Sequence, residues 1–122
     1  MSKSCLVVDD SQIVRMVARK ILESLDFTVS EAENGEAAIE KAVALQPDVI
    51  LVDCNMPVKG GLEFLEELRE LPEIRQPIVV FCTTENDAVD IETALRGGAN
   101  EYIMKPYDRN LLAGKFRQIG LL

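Results

Sequence analysis

Four separate pieces of this chain place reactive side chains directly behind short apolar runs. Asp9-Asp10 follow Cys5-Leu6-Val7-Val8, Asp53 follows Val49-Ile50-Leu51-Val52, Thr83-Thr84 come just after Ile78-Val79-Val80-Phe81, and Lys105-Pro106 follow Tyr102-Ile103-Met104. If these pieces meet, three carboxylates share one space; they repel, so either one is protonated or a cation sits among them. Oxygen donors without imidazole or thiolate favour a hard ion, and a few carboxylates completed by water suit Mg2+ better than the larger cage of Ca2+. A hydroxyl (Thr83) and an ammonium (Lys105) in the same cleft can hydrogen-bond and neutralise phosphoryl oxygens. A carboxylate can also act as the nucleophile that forms an acyl phosphate, and Asp53, alone at the end of its run, is the candidate. The set predicts a phosphoryl site with Mg2+ at Asp9, Asp10 and Asp53. There is no G-x-x-x-x-G-K-[ST], and Gly60-Gly61 precedes a leucine, so no nucleotide cradle is indicated and the phosphoryl donor is expected to be another protein or a small phosphodonor.

What must bring these pieces together is a parallel sheet. Strands are predicted at Cys5–Val8, Thr28–Ser30, Val49–Val52, Ile78–Phe81 and Tyr102–Met104. Between them apolar residues recur at helical spacing: Ile13, Val14, Val17, Ile21, Leu22 and Leu25; Ala38, Ile39, Ala42, Val43 and Leu45; Leu62, Leu65, Leu68 and Leu71. A fourth stripe, Ala88, Ile91, Ala94 and Leu95, is stopped by Gly97-Gly98, and a fifth, Leu111, Leu112, Phe116 and Ile119, contains Gly114 as a weak point. Strands separated by whole helices cannot pair as hairpins, so the sheet is expected to be parallel, with right-handed crossovers and helices on both faces. All the strand ends then lie along one edge, where open α/β sheets bind ligands.

Composition narrows the function classes. The 122 residues predict a single domain, 1–122, without an output domain; they carry a formal charge of -8 and are 48% hydrophobic. Such an acidic surface offers no footprint for nucleic acid or an anionic membrane. No apolar run suits a membrane span or signal peptide, and the expected location is cytoplasmic. Cys5, Cys54 and Cys82 lack C-x-x-C spacing and are expected to be reduced thiols, and with no histidine, Ser-His-Asp, Cys-His and histidine-metal chemistry are excluded.

With these residues in view, the chain resembles a response-regulator receiver domain, and is most similar to stand-alone, CheY-type chemotaxis regulators. The resemblance runs from LVVDDS through DCNMP and Thr83-Thr84-Glu85 to EYIMKPYD, in order and spacing. It implies a flavodoxin-like (βα)5 three-layer sandwich of strand order 2-1-3-4-5, for which a chemotaxis regulator of this kind is itself a standard example. It further implies that Asp53 is the phosphoacceptor and that Asp9, Asp10, Asp53 and the backbone carbonyl of Asn55 bind Mg2+. Thr83 would hydrogen-bond the phosphoryl group and Lys105 would pair with it, next to a cis Lys105-Pro106 bond. Tyr102 would be the aromatic switch partner of Thr83, and Asn55 and Glu85 would tune dephosphorylation. The implied partners are a histidine kinase or histidine phosphotransfer protein and, on the face formed by the fourth helix, fifth strand and fifth helix, a downstream target such as a flagellar motor switch component; the protein itself is expected to be monomeric.

This sequence also departs from that pattern. Gly60-Gly61 stands where Asp-Gly is usual, removing a carboxylate cap from the third helix; Asp26 replaces a glycine common after the first helix; Cys54 occupies a position often aromatic. Simpler readings exist for each site residue: Asp9-Asp10 as a helix start, Asp53 as a solvated strand end, Thr83, Thr84 or Asn86 as a cap, Lys105 as a loop lysine, Tyr102 as half-buried core. The cysteines read as small buried hydrophobes and Glu63, Glu66, Glu67 and Glu70 as a solvated helix face. Three rival functions remain. A phosphorelay shuttle or phosphate sink would use the same acceptor chemistry, and a receiver-like module would bind partners without phosphorylation. An aspartyl phosphatase of similar layering needs a second aspartate two residues after the nucleophile, where this chain has Asn55.

Overall fold

The computed structural model describes residues 3–54, 56, 59–84 and 88–122, without the side chains of 88–90. Strands and helices alternate: β1 (Ser4–Val8), α1 (Gln12–Ser24), β2 (Thr28–Ala32), α2 (Gly35–Leu45), β3 (Val49–Asp53), α3 (Gly61–Arg69), β4 (Ile78–Thr83), α4 (Ala88–Arg96), β5 (Glu101–Met104) and α5 (Arg109–Gln118). The strands pair in parallel in the order β2-β1-β3-β4-β5, the flavodoxin-like order. Asp53 and Thr83 are the last residues of β3 and β4, one and two residues further than their apolar runs.

Continuous apolar runs make sense because strand alternation divides them between two cores. Leu6, Val8, Ile50, Val52, Val79 and Phe81 face one way and meet Ala38 and Ala42 of α2, Phe64, Leu65 and Leu68 of α3, and Ala94 of α4. Cys5, Val7, Val49, Leu51, Val80, Cys82 and Ile103 face the other way, onto Ala18 and Leu22 of α1 and Leu112 and Phe116 of α5. The sheet is thus the middle of three layers, with α1 and α5 on one side and α2, α3 and α4 on the other. Among the described residues no helix is long and apolar enough to cross a membrane.

Helix ends follow local chemistry. Ser11, Asn34 and Asp108 cap α1, α2 and α5 by accepting the N–H groups of Val14, Ala37 and Leu111, whereas Gly60 leaves α3 without a side-chain cap. Asp26 does take the left-handed conformation, with φ 68°. Its N–H donates to the Glu23 carbonyl and that of Phe27 to the Leu22 carbonyl, a Schellman ending that usually uses glycine. One expectation needs correcting. Ile13 is 71% exposed and Val17 is also exposed, so the buried residues of α1 are Ala18 and Leu22, while Ile13 and Val17 line a groove with Lys105.

Candidate functional site

The carboxyl edge gathers the residues that the strand ends predict. Asp9 lies just past β1, and its N–H donates to the Ala32 carbonyl at 3.1 Å, continuing the β1–β2 pairing by one residue. It is 4% exposed, and Asp53 is 8% exposed. By strand alternation Asp9, Asp53 and Lys105 continue the series Cys5-Val7, Val49-Leu51 and Ile103, so all three are directed to the face covered by α1 and α5. There Lys105 Nζ lies 2.9 Å from Oδ2 of Asp9 and 3.0 Å from Oδ1 of Asp53. The other Asp9 oxygen accepts the Ser11 N–H at 2.9 Å.

Asp10 completes the cluster: one carboxylate oxygen from each of Asp9, Asp10 and Asp53 falls within 4.8 Å of the others. Lys105 offsets one of these negative charges, and the remaining excess with an all-oxygen donor set fits a hard divalent cation such as Mg2+. Burial pushes the Lys105 pKa down, but the hydrogen bonds and charges of Asp9 and Asp53 outweigh it and the net shift is upward, so the ammonium is held charged. Cys82, in register with Asp53, is buried; desolvation drives its thiol pKa well up despite the opposing charge of Lys105.

Thr83 is 1% exposed, and its hydroxyl donates to the Thr84 carbonyl at 3.2 Å. Alternation turns Thr83 to the opposite face from Asp53, together with Phe81. Tyr102 is in register with Phe81 and shares that face, half-buried against the same core, with Lys115 Nζ 4.4 Å from its ring centroid. Thr83 and Tyr102 are therefore on one face of adjacent strands. Asn55, Glu85 and Asn86 lie outside the described residues. The Lys105–Pro106 bond is cis.

Sequence reasoning missed two features. Arg15 donates from Nη1 to the Asp9 carbonyl at 2.7 Å and from Nε to Glu31 at 3.0 Å. Its signal was present: Arg15, Ala18 and Leu22 fall at i, i+3 and i+7, so a cation sits on the stripe that faces the sheet. The second is an apolar groove of about 380 Å³, lined by Ile13, Val14, Val17, Lys105, Pro106 and Tyr107, which opens beside the acidic cleft.

An open parallel sheet that gathers three carboxylates and a half-buried lysine at its carboxyl edge defines a class: a doubly wound α/β protein whose acidic cleft fits a hard cation. The comparisons make the class a family. Residues 5–117 match the response regulator receiver domain, and the chain belongs to that family. Over 109 residues it is 34% identical to the chemotaxis protein CheY of Halobacterium salinarum, covering 89% of each chain. Its fold matches the chemotaxis response regulator CheY4 of Vibrio cholerae with a TM-score of 0.89 at 28% identity, covering 98% of this chain and 99% of that one. It also matches the receiver domain of the sensor histidine kinase PA1611 from Pseudomonas aeruginosa, with a TM-score of 0.87 at 30% identity and coverage of 98% and 99%. That structure has a magnesium ion coordinated in its active site cleft. The chain is thus the receiver domain of a CheY-like response regulator.

Proposed function

We propose that this receiver accepts a phosphoryl group on Asp53 from a histidine kinase or histidine phosphotransfer protein, and signals by binding a target in a phosphorylation-dependent way. The observation that carries this reading is the single ammonium of Lys105 bridging Asp9 and Asp53, with Asp10 completing a cation site beside them. In the transfer an Asp53 carboxylate oxygen attacks phosphorus, the new O–P bond forms as the P–N bond of the donor phosphohistidine breaks, and the imidazole nitrogen keeps the electron pair. Asp9, Asp10 and Asp53, with the Asn55 carbonyl that the family resemblance implies, would hold Mg2+, which when bound would supply charge neutralisation of the phosphoryl oxygens.

The remaining contributions come from the chain itself. Lys105 exchanges a carboxylate for a phosphoryl oxygen without needing to change its protonation, and Thr83 redirects its hydroxyl from the Thr84 carbonyl to the phosphoryl group. Tyr102, on the same face as Thr83, follows it inward and reshapes the surface of α4, β5 and α5, where Leu95, Met104 and Leu111 are exposed apolar residues for a target to cover. Asn55 and Glu85 set the rate at which water releases the phosphate. The groove shared by α1 and Lys105 is the seat for the donor protein, because a helix resting on Ile13 and Val17 lies directly beside the cleft.

The site is testable by chemistry. Borohydride reduction of the phosphorylated protein converts an acyl phosphate to an alcohol, so peptide mass mapping should find homoserine at position 53 after incubation with acetyl phosphate and Mg2+. Label at Asp9 or Asp10 instead would overturn the assignment.

A further inference from the structure

Asp9 is fixed at every polar atom, and one of the groups that fix it belongs to neither the cation cluster nor the lysine. Its N–H is taken by the Ala32 carbonyl, its carboxylate oxygens by the Ser11 N–H and by Lys105, and its carbonyl by Arg15 Nη1 at 2.7 Å. The Arg15 side chain is 14% exposed and is itself held: Nε meets Glu31 of β2 at 3.0 Å, while the second Glu31 oxygen accepts from Arg19 at 2.7 Å. Lys41 of α2 donates to the backbone carbonyl of the same Glu31. Groups from α1 and α2 thus converge on Glu31, and the Arg15 guanidinium that Glu31 holds gives its other donor to a main-chain oxygen in place of a second carboxylate.

The consequence is geometric. The Asp9 carbonyl belongs to the peptide unit that joins Asp9 to Asp10, so its direction sets where both carboxylates leave the backbone. Asp9 is buried, and without Arg15 its carbonyl loses its charged, directional donor. The peptide plane would then turn to find another donor, and the Asp9 and Asp10 oxygens would turn with it. The planar fork of arginine reaches the carbonyl and Glu31 together; a lysine ammonium on a flexible stem does not hold both directions.

We infer that Arg15, braced by Glu31, is a positioning residue that aims the carboxylates of Asp9 and Asp10 at the divalent cation. This rests on the proposed cation site, and the test separates the two. Mg2+ affinity is measured by calorimetric titration of the unphosphorylated protein for the wild type, Arg15→Ala, Arg15→Lys, Glu31→Gln and Arg19→Ala. Arg15→Ala should weaken Mg2+ binding by roughly tenfold, in the range found when groups that orient metal ligands are removed. Glu31→Gln should fall between it and the wild type, and Arg15→Lys should recover only part of the loss. Arg19→Ala removes an ion pair to the same Glu31 without touching Asp9 and should leave affinity within about twofold of the wild type. Under saturating Mg2+ the phosphorylation rate of Arg15→Ala should return close to that of the wild type, which a general loss of folding would not permit. If Arg15→Ala does not fold, Arg15→Lys and Glu31→Gln carry the comparison. Mg2+ affinity unchanged in the folded Arg15 and Glu31 variants, or reduced equally by Arg19→Ala, overturns the inference; a wild type that binds no Mg2+ overturns the cation site beneath it.

Discussion

With its ammonium 2.9 Å from Asp9 and 3.0 Å from Asp53, Lys105 leaves the three-carboxylate cluster two negative charges in excess, a match for one divalent ion. Cys5, Cys82, Tyr107 and Lys105 itself are biased toward their protonated forms. Burial first of all raises the pKa of Cys5, Cys82 and Tyr107, while Lys105 is raised by its carboxylate partners against its own burial. Each of these groups has a folded pKa above its unfolded value, so each contributes stability that is intact below the unfolded pKa and is lost as pH rises toward the folded one. The thiols set the start of this window, near their ordinary 9.0. Stability should therefore decline above about pH 9, by roughly 1.4 kcal/mol per buried thiol for each pH unit. The urea midpoint measured at about pH 8 and about pH 10 checks this; a midpoint that holds steady or rises would contradict it. Asp9, Asp10, Asp53, Thr83 and Lys105 were legible in the sequence because polar residues ending apolar strands need a reason. The spacing of Arg15 with Ala18 and Leu22 marks its face of α1, but not its role, because its partner at the site is a backbone carbonyl, which leaves no mark in a sequence.

At the scale of the element, the two glycines before α3 behave differently. Gly60 holds the N-cap position in an extended conformation, and a Cβ there would come no nearer than 4.0 Å to the Cys54 carbonyl. Gly60→Asp should accordingly supply the missing cap and stabilise the protein slightly, by about 0.3 kcal/mol. At Gly61 a Cβ would stand 2.7 Å from the Asp53 carbonyl and 2.8 Å from Phe81 Cζ, so Gly61→Ala forces the helix away from the strand that carries Asp53. A loss of about 1–3 kcal/mol is expected, read as a lower urea midpoint, and equal effects of the two substitutions would refute this account of the turn. The missing cap at Gly60 could be read from residue type, and so could the departure at Asp26, which takes the left-handed turn in place of glycine. The tight fit at Gly61 could not, since it depends on how α3 packs across β3 and β4. Helical spacing likewise put Ile13 and Val17 on the apolar stripe of α1, where they are exposed, because periodicity identifies an apolar face but not which of its residues are covered.

For the whole molecule, alternation of strands and helices was enough to require a parallel sheet covered on both faces, with every strand end on one edge. Residue type even separates edge from centre. β2, with Thr28, Ser30 and Glu31, and β5, with Glu101, are the outer strands, while β3 is buried throughout. The order of β1, β3 and β4 was not legible from pattern, since all three are apolar runs; it came from the family resemblance and matches the observed sheet. That order places β1 and β3 side by side, and so puts Asp9 next to Asp53. The proposed signalling role depends on that adjacency, and its most direct test is the intact mass of the protein after incubation with acetyl phosphate, with and without Mg2+, for the wild type and for Asp53→Asn. The account predicts a gain of one phosphoryl group in the wild type that requires Mg2+ and is absent from the variant. A folded wild type that gains nothing, or a folded Asp53→Asn that gains as much, would contradict it.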